Sequence, residues 1–269
     1  MLGQVFSYNA SKASLIIDDE LSPAAFAVGA FSTCWLVYLV SLPVFARVAK
    51  KGASAAQAAV AVVGLCHAVQ AVARSGYVLL SPEADALRDD MYAKSTMVAH
   101  TFAISLGFFT WEICMELFVL PTVTSSCTDV PQVAHGVACA ICYLLGLWPA
   151  PFLAWMGSVM LLNEASTVPL TVRRVMLECG WSKGALYDAV QLAFAGLFLG
   201  VRIGVALPVS VWWWPQMLAL LRSGEVHSYG VGVYFLVANL LLTGLNIFWA
   251  FLICKKMAKA AGLTGRKKE

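Results

Sequence analysis

Charge is what this sequence is short of. Lys, Arg, Asp and Glu make up 12% of its 269 residues, against about 25% in a typical soluble domain. The deficit is concentrated: stretches 21–46, 52–73, 130–163 and 226–254 contain none of the four. About 20 apolar residues suffice to cross a bilayer, so runs of this length exclude an ordinary soluble domain. They read as an all-α, multi-pass transmembrane bundle. Other absences narrow the function. The sequence has no P-loop, G-x-G-x-x-G or G-x-S-x-G, which leaves nucleotide and serine-hydrolase chemistry without a basis. Four histidines without H-x-x-x-H spacing, and no second C-x-x-C, give no metal ligand set. No basic domain is available for nucleic acid. The N-terminus lacks the basic region and short apolar core of a secretory signal, so the first span is expected to direct its own insertion.

What is present is hydrophobic sequence, 60% of the chain, punctuated by a few breakers. The pattern predicts seven spans, at 24–46, 56–80, 98–120, 132–148, 151–172, 187–209 and 230–254. The 34-residue uncharged run at 130–163 would reach roughly 50 Å as one helix, too long for a core about 30 Å thick. "WPAP" at 148–151 divides it, because proline lacks a donor and restricts the residue before it. The domain plan is then an N-terminal tail at 1–23, a transmembrane domain at 24–254 and a basic tail at 255–269. Eight cysteines fall mostly within apolar runs and read as small buried hydrophobes, Cys139 and Cys142 included.

Basic residues set the expected orientation. Arg47, Lys50 and Lys51 follow the first span, Arg173, Arg174 and Lys183 follow the fifth, and six more close the chain. An odd number of spans puts all three clusters in the cytosol and the N-terminus on the lumenal side, where Asn9-Ala10-Ser11 forms a glycosylation sequon. The closing "RKKE" resembles a dibasic retrieval signal for the endoplasmic reticulum, and reads equally as a basic anchor.

Ionisable side chains inside a bilayer are costly, and they usually face a bundle interior or a cavity. His67, Gln70 and Arg74 recur at i, i+3 and i+7 and so share one helical face. Glu112 and Glu116 are one turn apart in the third span. His135 opens the fourth span, Asn163 and Glu164 lie in the fifth with Ser166 and Thr167, and Arg202 lies in the sixth. Two readings stand for these groups: they pair with one another to hold helices together, or they line a lipid cavity. A histidine can act as a nucleophile or general base and a carboxylate can orient it, so His135 with Glu164 would make a minimal dyad if they met.

Four short segments carry a family resemblance. "GFFTWE" (107–112) resembles a Gly-aromatic-Phe-x-x-acid motif. "NEASTVPLTVRR" (163–174) is similar to a Glu-x-Ser-Thr motif followed nine residues after the Glu by Arg, here Arg173. "FLGVRI" (198–203) and "LNIFW" (245–249) resemble two later signatures. In this order, from about residue 30 to 255, they resemble the TLC domain of ceramide synthases, translocating-chain-associated membrane proteins and smaller TLC domain-containing proteins. The resemblance implies six helices in a ring around a hydrophobic cavity, with the first helix beside it, in the endoplasmic reticulum or a related endomembrane; the plasma membrane is the alternative.

In ceramide synthases a His-His pair and downstream aspartates transfer an acyl group from acyl-CoA to a sphingoid base. Here the pair's place holds His135-Gly136, and Asn163-Glu164 stands for the aspartates, as in the smaller TLC-domain proteins. The expectation is a protein that binds or regulates membrane lipids, with no cofactor and no metal. Its partners would be membrane lipids, and homo-oligomers are left open. An acyltransferase using His135 and Glu164, with acyl-CoA as co-substrate, is the alternative, followed by an early-secretory cargo receptor.

Overall fold

The computed structural model describes residues 22–50, 54–124 and 128–260. The Asn9 sequon and the "RKKE" end lie outside the described residues. Those residues form helices throughout and contain no strand. They fall into two compact units, 22–194 and 195–260, each described by itself.

The first unit begins with α1 (Pro23–Val48), α2 (Ser54–Leu80), the short α3 (Ala84–Asp89) and α4 (Thr96–Cys114). A π-helical turn, Met115–Val119, carries α4 into α5 (Leu120–Thr124). Then come α6 (Val130–Leu147), α7 (Ala154–Leu161), α8 (Glu164–Glu178) and the start of α9 (Ala185–Leu197). The starts are written in the sequence. Ser22, Ser95 and Asp129 stand one residue before α1, α4 and α6, and each side chain accepts from a backbone N–H of the first turn, at 3.4, 3.4 and 3.2 Å; these are N-caps that satisfy otherwise orphaned donors.

Helix α1 packs on α2 and α4, α4 on α6, and α2 on α8. One core gathers Tyr38, Val63, Phe108, Phe109, Trp111 and Met115, and a second gathers Ala71, Val78, Phe102, Ala154 and Leu161. Gly107 lets α1 and α4 touch, since a Cβ there would run into the carbonyl oxygen of Ala27.

Among the described residues, six helices are long and apolar enough to cross a membrane, where seven spans were expected. The difference lies at 151–172. Instead of one span this segment forms α7, of 8 residues, and α8, of 15. The break at 162–163 is closed by three-residue backbone bonds, Leu162 to Val159, Asn163 to Met160 and Ser166 to Asn163, at 3.1, 3.1 and 3.2 Å. Ser166 Oγ also donates to the Asn163 carbonyl, at 2.9 Å, the local competition with the helical ladder expected of Ser and Asn. Pro169 withholds the N–H that the Ala165 carbonyl would have received.

The second unit contains the end of α9, a π-helical segment Phe198–Ala206, α10 (Leu207–Ser223) and α11 (Tyr229–Ala260). The helix therefore continues well beyond the expected end at 209. The helix runs on through "WWWP" at 212–215: Pro215 lies inside α10, Trp213 is buried, and Trp214 Nε1 donates to Asn239 Oδ1 at 2.8 Å.

Candidate functional site

The polar residues singled out from the sequence separate into three groups. The first lies on α4, α6 and α8. Gln132 donates a hydrogen bond to the Glu112 carboxyl group, which is also close enough to Glu164, Glu116 and Arg174 to interact with them electrostatically. The other oxygen, Glu112 Oε2, is buried with no hydrogen-bond partner among the described residues. Glu116, on the π turn one helical turn away, is buried and lies within electrostatic range of Arg174 and Asp129. The π turn ends with Leu120 N–H bonded to the Met115 carbonyl, and Pro121 follows it, so one bond of the ordinary helical ladder is already missing there.

His135 projects from α6 into the same region. Its ring is edge-on to Phe109, with centroids 5.9 Å apart at 79°. Cys139 Sγ lies 3.9 Å from Nδ1 and 3.7 Å from Nε2 of His135. Near-equal distances put the sulfur in line with neither nitrogen's lone pair or proton, so this is a packing contact rather than a directed hydrogen bond. Tyr143, one turn beyond Cys139, stacks on Phe109 at 5.8 Å and 14° and lies within electrostatic range of Cys139 and Glu164. Glu164 thus shares one polar region with Glu112 and with Tyr143, and His135 meets Phe109 and Cys139, both of which neighbour Tyr143. Glu164 reaches that region as the first residue of α8, at the helix break, with Asn163 before it; the Asn163 amide nitrogen is 4.0 Å from Met160 Sδ. Ser166 is buried and turned onto backbone, while Thr167 is half-buried and lends its carbonyl to Thr171 Oγ1 at 2.9 Å.

Position 136 is sterically defined. A Cβ at Gly136 would lie 3.1 Å from Ile113 Cγ1 and 3.6 Å from Glu112 Oε2. Any side chain at position 136 would therefore press on Ile113 of the neighbouring helix.

The second group belongs to α2. His67 Nε2 is 3.2 Å from Ser105 Oγ, and its ring stacks on Phe108 at 3.9 Å and 4°. Gln70 lies one turn on. Arg74 donates from Nε to Thr101 Oγ1 at 2.9 Å, and that hydroxyl donates onward to the Met97 carbonyl at 2.7 Å. Arg74 therefore ties α2 to α4. The third group is in the second unit, where Arg202 lies mid-way along the π segment. Its Nη1 donates to Asn246 Oδ1 at 3.0 Å, and the guanidinium sits 5.1 Å from the Phe198 ring centroid.

Sequence reasoning passed over Gln132, Cys139, Tyr143 and Arg174. A signal for three of them was present: Gln132, His135, Cys139 and Tyr143 follow one another at three- and four-residue steps and so share a face of α6.

Comparison with known proteins agrees with this architecture. The chain matches the model of the TLC domain over residues 57–255. It is similar to a protein of Schizosaccharomyces pombe described as an uncharacterized TLC domain-containing protein, 23% identical over 179 residues, which are 65% of this chain and 56% of that relative. The chain thus aligns with little more than half of the relative's length. With the match covering most of its length, this helical, multi-pass chain belongs to the TLC domain family.

Proposed function

We propose that the protein holds a membrane lipid by its head group among α4, α6 and α8, and that it binds or regulates that lipid rather than performing ceramide synthase chemistry. One observation carries the reading: Glu112 Oε2 is a buried carboxyl oxygen without a donor among the described residues. Inside a bilayer no bulk water is available to supply one, so a ligand hydroxyl or amine would relieve the largest polar mismatch in the region. The make-up of the group favours the same ligands, because three carboxyl groups, those of Glu112, Glu116 and Glu164, stand with one guanidinium, that of Arg174, and a carboxyl group can pair with a hydroxyl or an amine. His135, Gln132 and Tyr143 would fix the head group's orientation. Gly136 argues against acyl transfer by a histidine pair, since no second histidine follows His135 and a Cβ at 136 would already press on Ile113. In this reading the protein resides in the endoplasmic reticulum or a related endomembrane with its basic clusters in the cytosol.

The test is to purify the full chain in mild detergent, identify co-purifying lipid by mass spectrometry, and incubate the protein with acyl-CoA and a sphingoid base. The expected result is a retained lipid bearing a hydroxyl or amine, depleted in Glu112→Gln, with no acylated product. Turnover that disappears in His135→Ala would overturn the proposal in favour of the acyltransferase.

A further inference from the structure

A cavity lies between α1, α2 and α4. It has a volume of about 400 Å³, within the roughly 300–1,000 Å³ range of sites that enclose a small ligand. It is distinct from the carboxyl cluster: Glu112, His135 and Glu164 do not line it. Phe109 stands between, its ring centroid 5.4 Å from that of His67 and 5.9 Å from that of His135.

Its walls are apolar apart from the Thr33 hydroxyl on α1 and the polar side chains of α2. Ala25, Gly29 and Thr33 follow each other at four-residue steps along α1 and are exposed at the cavity, while Phe108 closes the side of α4. His67 and Gln70 supply the polar groups of α2. His67 is 5% exposed, and its Nδ1 has no partner among the described residues; neither does the nitrogen or the oxygen of the Gln70 amide. The imidazole cannot easily turn away, because Ser105 holds Nε2 and Phe108 stacks on the ring. Three polar atoms of two cavity-lining residues thus lack a partner among the described residues, in a segment of bilayer length where bulk water is not at hand to satisfy them.

The chemistry of the missing ligand follows from what lines the cavity. No Asp, Glu, Lys or Arg does, so a phosphate or ammonium head group would be stripped of water without a counter-charge. A hydroxyl fits: it donates one hydrogen bond and accepts others, and the Gln70 amide and His67 Nδ1 offer both complements. We propose that this cavity binds one neutral lipid alcohol, its hydroxyl between Gln70 and His67 and its hydrocarbon body along the Ala25–Gly29–Thr33 stripe of α1. The site stands independently of the head-group site at Glu112. A fused-ring alcohol and an acylglycerol share this chemistry, and the test separates them.

The full chain in lipid nanodiscs is exposed to clickable photoreactive probes of three kinds: a sterol, a monoacylglycerol and an anionic phospholipid. Labelled peptides are then mapped. One or both alcohol probes should label peptides from 23–48, 54–80 or 96–114, with competition by the matching unlabelled alcohol, and the anionic probe should not. Labelling by the sterol alone would assign the rigid alcohol, and by the monoacylglycerol alone the chain alcohol. Gly29→Leu should abolish labelling while leaving the thermal midpoint at or above that of the unsubstituted protein. A Cβ at residue 29 meets nothing within 4 Å, and leucine favours a helix over glycine. Gln70→Leu should weaken labelling by roughly two- to tenfold, the worth of one hydrogen bond, and it serves as the deciding variant if Gly29→Leu does not fold. Glu112→Gln should leave it unchanged. Failure of both alcohol probes, equal labelling by the anionic probe, or labelling that survives in folded Gly29→Leu or unweakened in Gln70→Leu would overturn the proposal.

Discussion

Glu112 in the first unit and Arg202 in the second pose the same physical problem and meet it differently. Each is a charged residue type within a long apolar helix, and each lies in or beside a π-helical segment. Arg202 is matched: Asn246 accepts from its guanidinium and Phe198 lies beneath it. That is helix-to-helix glue of the kind expected where a bilayer leaves no other partner. Glu112 receives one hydrogen bond from Gln132 and keeps a buried oxygen over. The neutral donors left over in the second unit, the Ser210 hydroxyl and the Trp213 indole N–H, are far less costly to bury than a carboxylate. The difference teaches that a charged residue type inside a membrane helix does not by itself mark a ligand site; the proposed function rests on the unmatched one.

The contrast can be broken most forcefully at Asn246. Replacing it with leucine leaves the Arg202 guanidinium without its acceptor, and the expected loss is about 2 kcal/mol, the range for a hydrogen bond to a charged group. Removing both partners, as Arg202→Leu with Asn246→Leu, should recover much of that loss. Thermal unfolding of the single and double variants in one detergent checks this; a double variant worse than Asn246→Leu would refute the glue reading.

A smaller effect is expected at Gly136. Alanine there sets a methyl group 3.1 Å from Ile113 Cγ1, and such overpacking costs about 1 kcal/mol. Ile113→Val in the same chain should relieve it, which the same unfolding assay would detect. Gly136→His, which restores the histidine pair, should not produce acylation of a sphingoid base, because its side chain would press on Ile113 of the neighbouring helix.

Glu112→Gln sharpens the other side of the contrast. The change keeps the shape of the side chain, so stability should move by less than about 1 kcal/mol, while bound lipid should fall by about tenfold with the lost charge-assisted hydrogen bond. The smallest effect belongs to Arg88, whose exposed guanidinium pairs with Asp85 at 2.9 Å and Asp89 at 3.0 Å. Those two carboxylates raise its pKa from an already high value, so Arg88 stays charged across the working range. Solvent screens such pairs, and Arg88→Ala should shift neither the thermal midpoint nor its pH dependence between pH 5 and 9.

Much of the fold was legible because hydrocarbon selects for length and absence of charge. The expected spans 24–46, 56–80, 98–120, 132–148 and 230–254 fall within or close to α1, α2, α4 with its extension, α6 and α11. Two places escaped. Asn163 and Ser166 look innocuous in a greasy segment, yet their hydrogen bonds to neighbouring backbone, together with Pro169, break the helix at 162–163. The π segments were hidden as well, although each ends two residues before a proline, Val119 before Pro121 and Ala206 before Pro208. Charge also drew attention away from neutral residues. Gln132 donates to Glu112 but carries nothing that a count of titratable groups would flag, and Tyr143, which lies within electrostatic range of Glu164, is a phenol rather than a charged side chain. His227 lies in the loop between α10 and α11 and is nonetheless fully buried, because burial of a loop residue depends on its surroundings and leaves no periodic trace.

The most direct measurement is native mass spectrometry of the intact protein, recording bound lipid alongside the thermal midpoint for Glu112→Gln and Asn246→Leu. The account requires opposite outcomes: Glu112→Gln sheds its lipid and unfolds at nearly the original temperature, whereas Asn246→Leu keeps its lipid and unfolds earlier. If Glu112→Gln retained the lipid in full, or if Asn246→Leu lost it while unfolding at the original temperature, the division between matched glue and unmatched ligand site would be contradicted.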